Sequence, residues 1–257
     1  MVENHRVQSV DRAVRILEML ARDGELTVGQ VADELQVHSS TAFRLIDTLA
    51  ARELLERNAG SGSVRLAAGL LRLAGATASQ LDLSTEAQPV CDSLAAEVGE
   101  TANVAILSGD VAINVCQAGG ASSVSMRNWV GQHTVLHATA SGKVLLAYLE
   151  SHQRGRLLRP PLQRFTSATH CSAEDLRPEL AVVRRHGWAQ SIEEYEEGLN
   201  AVAAPIRGHD GAVIAALSAA GPTYRLSPER LPQVATTVRA AAEEVSAKMG
   251  HRRETTA

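Results

Sequence analysis

Apolar side chains recur at a helical period three times near the start of this chain. "SVDRAVRILEML" puts Val10, Ala13, Val14, Leu17 and Leu20 on one stripe, with Ser9 placed to cap the helix. After a break at "DGEL", "TVGQVADEL" opens with Thr27 and Gln30 three residues apart, the spacing of a capping box. Val28, Val31, Ala32 and Leu35 then face inward. "SSTAFRLIDTLAA", residues 39–51, repeats the stripe at Ala42, Leu45, Ile46 and Leu49. Its other face carries Ser40, Arg44, Asp47 and Thr48. Two short apolar runs flanking the Asn, Gly and Ser cluster of residues 58–63 predict a β-hairpin.

Three short helices and a hairpin predict a winged helix-turn-helix over residues 1–67. In that arrangement the third helix enters the major groove N-terminal end first, and the hairpin touches backbone or minor groove. His38, Ser39, Ser40 and Thr41 then stand at the entrance, where small side chains permit close approach and free N–H groups attract phosphate. Phe43 and Arg44 follow one turn in, and Arg44 can reach a phosphate or a guanine edge. Arg57 and Arg65 lie on the hairpin, placed for flanking phosphates. Charge tempers this reading. Residues 1–67 hold eight arginines and no lysine against ten acids, net −2, which is poor for a DNA-binding monomer. The same pattern fits a trihelical interaction module, with Ser39 and Ser40 as caps and Phe43 in the core.

Residues 68–83, beginning "AAGLLRLAGATASQL", are small, apolar and helix-prone. A linker helix here exposes Leu70, Leu71 and Leu73 unless a second subunit covers them. From residue 84 onward helices alternate with strands. "STEAQPVCDSLAAEVGE" is a helix with Val90, Leu94 and Val98 inward and Gly99 as its stop. "TANVAILSGDVAINVCQA" is two strands around a Ser-Gly-Asp turn, and "SSVSMRNWV" is a further strand. "HATASGKVLLAYL" and "SAEDLRPELAVVRRHG" are helices. "WAQSI", "NAVAAPI" and "AVIAALSAA" are strands, "SPERLPQVATTVRAAAEEVSAKM" is a closing helix, and "HRRETTA" reads as a disordered tail. The whole predicts an α+β chain whose C-terminal domain holds an antiparallel sheet.

No motif in this half carries catalysis. "HATASGK" lacks phosphate-loop spacing, and Val144 follows the lysine where a hydroxyl is required. His137 near Thr139 and Ser141 has neither a nucleophile elbow nor an acid placed to orient it, so it reads as a structural histidine. The acidic run Glu193, Glu194, Glu196 and Glu197 has no metal-ligand companion and reads as a solvated loop. No catalytic residue, metal or cofactor is expected. A binding site is better supported: free N–H groups at the start of the "TASGK" helix suit a carboxylate, and sheet residues would wall a pocket there.

Composition narrows the picture. With 257 residues and 45% hydrophobic side chains the chain can bury ordinary cores in one large or two modest domains. Net charge −4 and 3% aromatics disfavour single-strand and RNA platforms. Cys91, Cys116 and Cys171 are odd in number and unpaired by motif, which reads as reduced thiols. The first residues show no basic-then-apolar leader pattern, and no apolar run is long enough for a membrane helix. A cytoplasmic protein is expected.

Six segments together resemble the IclR (isocitrate lyase regulator) family: "SVDRAVRILEML", "SSTAFRLIDTLAARELLER", "VRLAAGLLRLA", "VGQHTVLHATASGKVLLA", "EEGLNAVAAPI" and "GAVIAALSAAGP". The resemblance implies a winged helix-turn-helix (1–67), a linker helix (68–83) and a GAF-like effector-binding and oligomerisation domain (84–257). It implies homodimers or homotetramers on a palindromic double-stranded operator, repression more than activation, and a small catabolite as effector. Effector contacts would fall at the helix-start positions Ala140 and Ser141, at the wall positions Ser191, Ala201, Ser218 and Ala220, and at the apolar Met126 and Trp129. Oxo-acid-binding members tend to carry Asp, Cys, Ser and Ser at the four wall positions. The serine and alanines here imply a roomier, less polar pocket and an aromatic or other ligand larger or less oxygen-rich than glyoxylate. Val135 stands where the family usually has proline. An interaction adaptor, or an enzyme with a helical accessory domain, remains the alternative.

Overall fold

The computed structural model describes residues 7–58, 60–78, 82–120, 129–159 and 161–252. The chain divides into two compact units, Met1–Gln80 and Leu81–Ala257. Among the described residues, no helix is long and apolar enough to cross a membrane.

The first unit runs α1 (Gln8–Asp23), β1 (Glu25–Thr27), α2 (Val28–Leu35), α3 (Ser39–Ala51), β2 (Leu55–Arg57), β3 (Ser63–Leu66) and α4 (Gly69–Ala78). Its core gathers Ile16 and Leu20 of α1, Val31 and Leu35 of α2, and Ala42, Ile46 and Leu49 of α3. Leu26, Leu55 and Val64 add one side chain from each strand. The capping box forms as expected, with the Gln30 N–H donating to Thr27 Oγ1 and Gln30 Oε1 accepting from the Thr27 N–H. Two details of α1 differ from expectation. The helix starts at Gln8 with Val7 at its N-cap and no side-chain cap, so Ser9 lies inside it. Val10 and Val14 are exposed, and the buried stripe runs through Ile16, Met19 and Leu20. "DGEL" is more than a break: Glu25–Thr27 pairs antiparallel with β3, which pairs on its other edge with β2. Glu25 clasps the hairpin, accepting hydrogen bonds from Asn58 Nδ2, Ser61 Oγ and Ser63 Oγ. The Ser63 hydroxyl, then the Asn58 amide, hold its carboxyl below the usual glutamate range.

The second unit runs α5 (Leu83–Val98), β4 (Thr101–Ser108), β5 (Val111–Ala118), β6 (His133–Thr134), α6 (Ala140–Tyr148), α7 (Ser151–Leu157), α8 (Ala173–His186), β7 (Ala189–Ile192), β8 (Leu199–Arg207), β9 (Val213–Pro222) and α9 (Leu231–Lys248). Among the described residues the strands form one antiparallel sheet ordered β6-β5-β4-β9-β8-β7. Period-two alternation sends successive side chains to opposite faces. Val104, Val202, Ile206 and Leu217 pack under α5 and α9 on one face. Ala105, Ala203 and Ala216 lie on the other with α6 and α8, leaving that face lined by small residues. Helix ends follow local chemistry: Ser172 caps α8, and Gly99 and Gly187 close α5 and α8 at φ 80° and 76°, where a side chain would be strained. The "SSVSMRNWV" strand lies mostly outside the described residues, as does residues 253–257 of the tail.

Candidate nucleic-acid interface and effector cleft

His38 is the N-cap of α3 but makes no side-chain cap, and neither Ser39 nor Ser40 caps the helix. Both serines are exposed at the helix start, where the first N–H groups lack intrahelical acceptors. Thr41 is half-buried. Phe43 is 46% exposed, so it belongs to the surface and not to the core. The Arg57 guanidinium from the hairpin lies 4.5 Å from its ring centroid and 3.4 Å from Asp47 Oδ1. Arg65 meets Glu56 at 2.5 Å. Both ion pairs are exposed, a class that contributes about 0–1 kcal/mol, so phosphates can compete for these arginines. Arg44 is exposed and has no ion-pair partner among the described residues. The fold thus puts a helix start, an aromatic side chain and three arginines on the helix and wing of one small domain.

In the second unit, the register of the sheet builds a cleft. One cross-strand row reads Thr101, Ala220, Ala201, Ser191, and the next reads Asn103, Ser218, Ala203, Ala189. The start of α6 stands over these rows. Thr139 caps it, accepting from the Gly142 N–H at 3.1 Å and donating to the Val135 carbonyl at 2.7 Å. The Lys143 N–H bonds to the Thr139 carbonyl. This leaves the Ala140 and Ser141 N–H groups without a protein acceptor among the described residues, at the positive end of the helix dipole. Gly142 is required here: a Cβ would lie 2.4 Å from Leu136 Cα.

The cleft holds about 780 Å³ of empty space when its open mouth is counted. Trp129, Ala140, Ser141, Ser191, Ala201, Ser218 and Ala220 all line it. Met126 lies outside the described residues. Ser191 Oγ is turned to the Ala138 carbonyl at 2.9 Å, and Ser218 Oγ to the Asn103 carbonyl at 3.3 Å. Trp129 and Tyr195 form an edge-on aromatic wall, ring centroids 6.4 Å apart. Among the described lining residues none is charged.

Sequence reasoning missed Thr101, Asn103, Asn114 and Tyr195, which share this cleft. Asn103 and Asn114 carried a signal: each is an amide within a run of otherwise apolar strand residues. It also misplaced Glu194, which is not solvated. Lys143, fully buried, donates to Glu194 Oε1 and Oε2 at 2.7 and 2.9 Å and to Glu179 Oε1 at 2.5 Å. Burial raises the Glu194 carboxyl above the usual range, against the pull of Lys143. His170, Glu179 and Glu194 converge as metal ligands would, yet the Lys143 ammonium already occupies that space. The same burial removes Lys143 from any phosphate-binding role. His137 is buried, its Nε2 2.8 Å from the Gln163 carbonyl, and packs against Phe165.

Residues 9–59 match the family model described as the IclR helix-turn-helix domain. Residues 75–247 match that described as bacterial transcriptional regulator IclR C-terminal. The chain belongs to the IclR family of transcriptional regulators. Its IclR relatives include the transcriptional regulator BhcR of Paracoccus denitrificans, 33% identical over 96% of this chain and 89% of that protein. Among solved IclR structures it is similar to the Agobacterium tumefaciens repressor BlcR, with 26% identity, TM-score 0.79, and coverage of 96% and 99% of the two chains. It is also similar to an IclR homologue from Microbacterium hydrocarbonoxydans complexed with 4-hydroxybenzoate, with 30% identity, TM-score 0.60, and coverage of 94% and 98%.

Proposed function

We propose that this IclR-type regulator is a cytoplasmic repressor that reads a palindromic operator as a homodimer or homotetramer. His38, Ser39, Ser40, Thr41, Phe43 and Arg44 contact DNA, and Arg57 and Arg65 hold flanking phosphates. Self-association answers two observations: the net negative charge of a single reading head, and the exposure of Val10, Val14, Leu71 and Leu73 on α1 and α4.

The cleft of the second unit binds a small carboxylate and acts by binding, not catalysis. The observation that carries this is the pair of N–H groups at Ala140 and Ser141, unpartnered among the described residues, opening into a cleft lined by the serine and alanine row with no charged side chain among its described lining residues. The Trp129 and Tyr195 wall suits a ring, which favours an aromatic catabolite over a compact oxo-acid. The bound 4-hydroxybenzoate of the Microbacterium homologue makes that compound the first probe. Ligand release of operator-bound protein tests the reading. A carboxylate that displaces the protein from its own upstream DNA supports it; micromolar binding of glyoxylate or pyruvate in place of any aromatic acid contradicts it.

A further inference from the structure

Asn103 and Asn114 are 8% and 7% exposed, and both line the cleft. Asn103 Oδ1 is fully buried with no hydrogen-bond partner among the described residues. Nine-tenths-buried carboxamides are normally bonded, because an unmet donor or acceptor forfeits its hydration without return. Strand pairing puts the two on one face. Asn114 opposes Ala105, two residues along β4 from Asn103, with a bulge between Val104 and Ala105. Asn103 also opposes Ser218 across β9, so it borders the wall already described.

We infer that Asn103 and Asn114 form a second polar pole of the cleft, which selects effectors carrying a neutral hydroxyl, carbonyl or amide group away from the carboxylate. This rests on the carboxylate reading above. A carboxamide donates and accepts, so it matches such a group from either side. It supplies no positive charge, and no charged side chain lines the cleft among the described residues. These two carboxamides offer a second carboxylate no charge to offset its desolvation. Sites that bond a ligand hydroxyl discriminate strongly against analogues that lack it. The four wall positions alone predict a weakly polar pocket; β4 and β5 supply the polarity instead.

Calorimetric titration of the full-length protein with phenylacetate, 3-hydroxyphenylacetate, 4-hydroxyphenylacetate and 1,4-phenylenediacetate tests this. At least one hydroxylated probe should bind about tenfold or more tighter than phenylacetate, and the diacid should bind weakest. In Asn103→Leu that gap should collapse to about onefold. Should Asn103→Leu fail to fold, Asn103→Ala and Asn114→Ala carry the same comparison. Equal binding of phenylacetate and both hydroxylated probes, or a gap that survives in the variants, overturns the inference and leaves the carboxylate reading standing. Binding by none of the four overturns both.

Discussion

The ammonium of Lys143 lies 2.7 and 2.9 Å from the two carboxylate oxygens of Glu194, and no part of the lysine is exposed. Lys143 sits one turn into α6, whose first residues face the cleft; Glu194 precedes Tyr195 in the cleft wall. The ion pair therefore ties two parts of the cleft together. Removing one partner of a buried pair leaves the other charge uncompensated, at a cost of about 3–5 kcal/mol. Lys143→Met should lower stability by that order in denaturant unfolding.

The pair also predicts a pH dependence. Burial holds the Glu194 carboxyl above its ordinary value near 4.5, so the folded state takes up that proton at higher pH than the unfolded chain. Its contribution favours folding below about 4.5 and is lost as pH rises through the raised value. Glu194→Gln cannot titrate. Urea midpoints of the two proteins across pH 4 to 8 should show wild type losing ground to the variant as pH rises. A constant difference would contradict the assignment.

Gly142→Ala isolates the packing of the helix start. Alanine is the better helix former by about 1 kcal/mol, so intrinsic propensity predicts a gain. The new Cβ would instead meet Leu136 backbone atoms at 2.4 Å. The variant should be less stable and lose carboxylate binding, read by thermal unfolding with and without ligand.

These effects separate what the sequence showed from what it hid. The Thr27–Gln30 capping box and the stops at Gly99 and Gly187 were legible because they are local: each sits beside the groups it satisfies. The strand Glu25–Thr27 was not, since three residues are too few to show a period. Val10 and Val14 match the helical stripe as well as Ile16 does; periodicity finds an apolar face but cannot say what covers each part of it. Glu194 read as solvated because its partner is 51 residues away. Asn103 and Asn114 stand out as amides in apolar runs, but only the assembled sheet opens a cleft over them.

The thiols should differ in reactivity. Burial pushes Cys91 up to about 12 and Cys116 up to about 11, so neither forms thiolate at neutral pH. Cys171 is only half-buried. Native protein treated with iodoacetamide at pH 7.5 should carry label at Cys171 alone by mass spectrometry, and at all three after denaturation.

Arg57 and Arg44 should fail in different ways. Arg57 already packs on Phe43 and Asp47 through exposed contacts, so releasing it to phosphate costs little. Arg57→Ala should weaken operator and unrelated DNA alike and reduce the salt slope by about one. Arg44→Ala should remove about 1–3 kcal/mol of operator affinity and relax specificity.

The most direct measurement is fluorescence anisotropy of the full-length protein on DNA from upstream of its own coding sequence. It would be run at two salt concentrations with excess unrelated duplex, beside Arg44→Ala. Wild type should bind tightly, in a salt-sensitive way, and survive the competitor; Arg44→Ala should bind more weakly by about 1–3 kcal/mol and be displaced by the competitor more readily, while keeping its fold and its carboxylate affinity. Binding that the competitor abolishes, or that Arg44→Ala leaves intact, would contradict α3 as the reading helix.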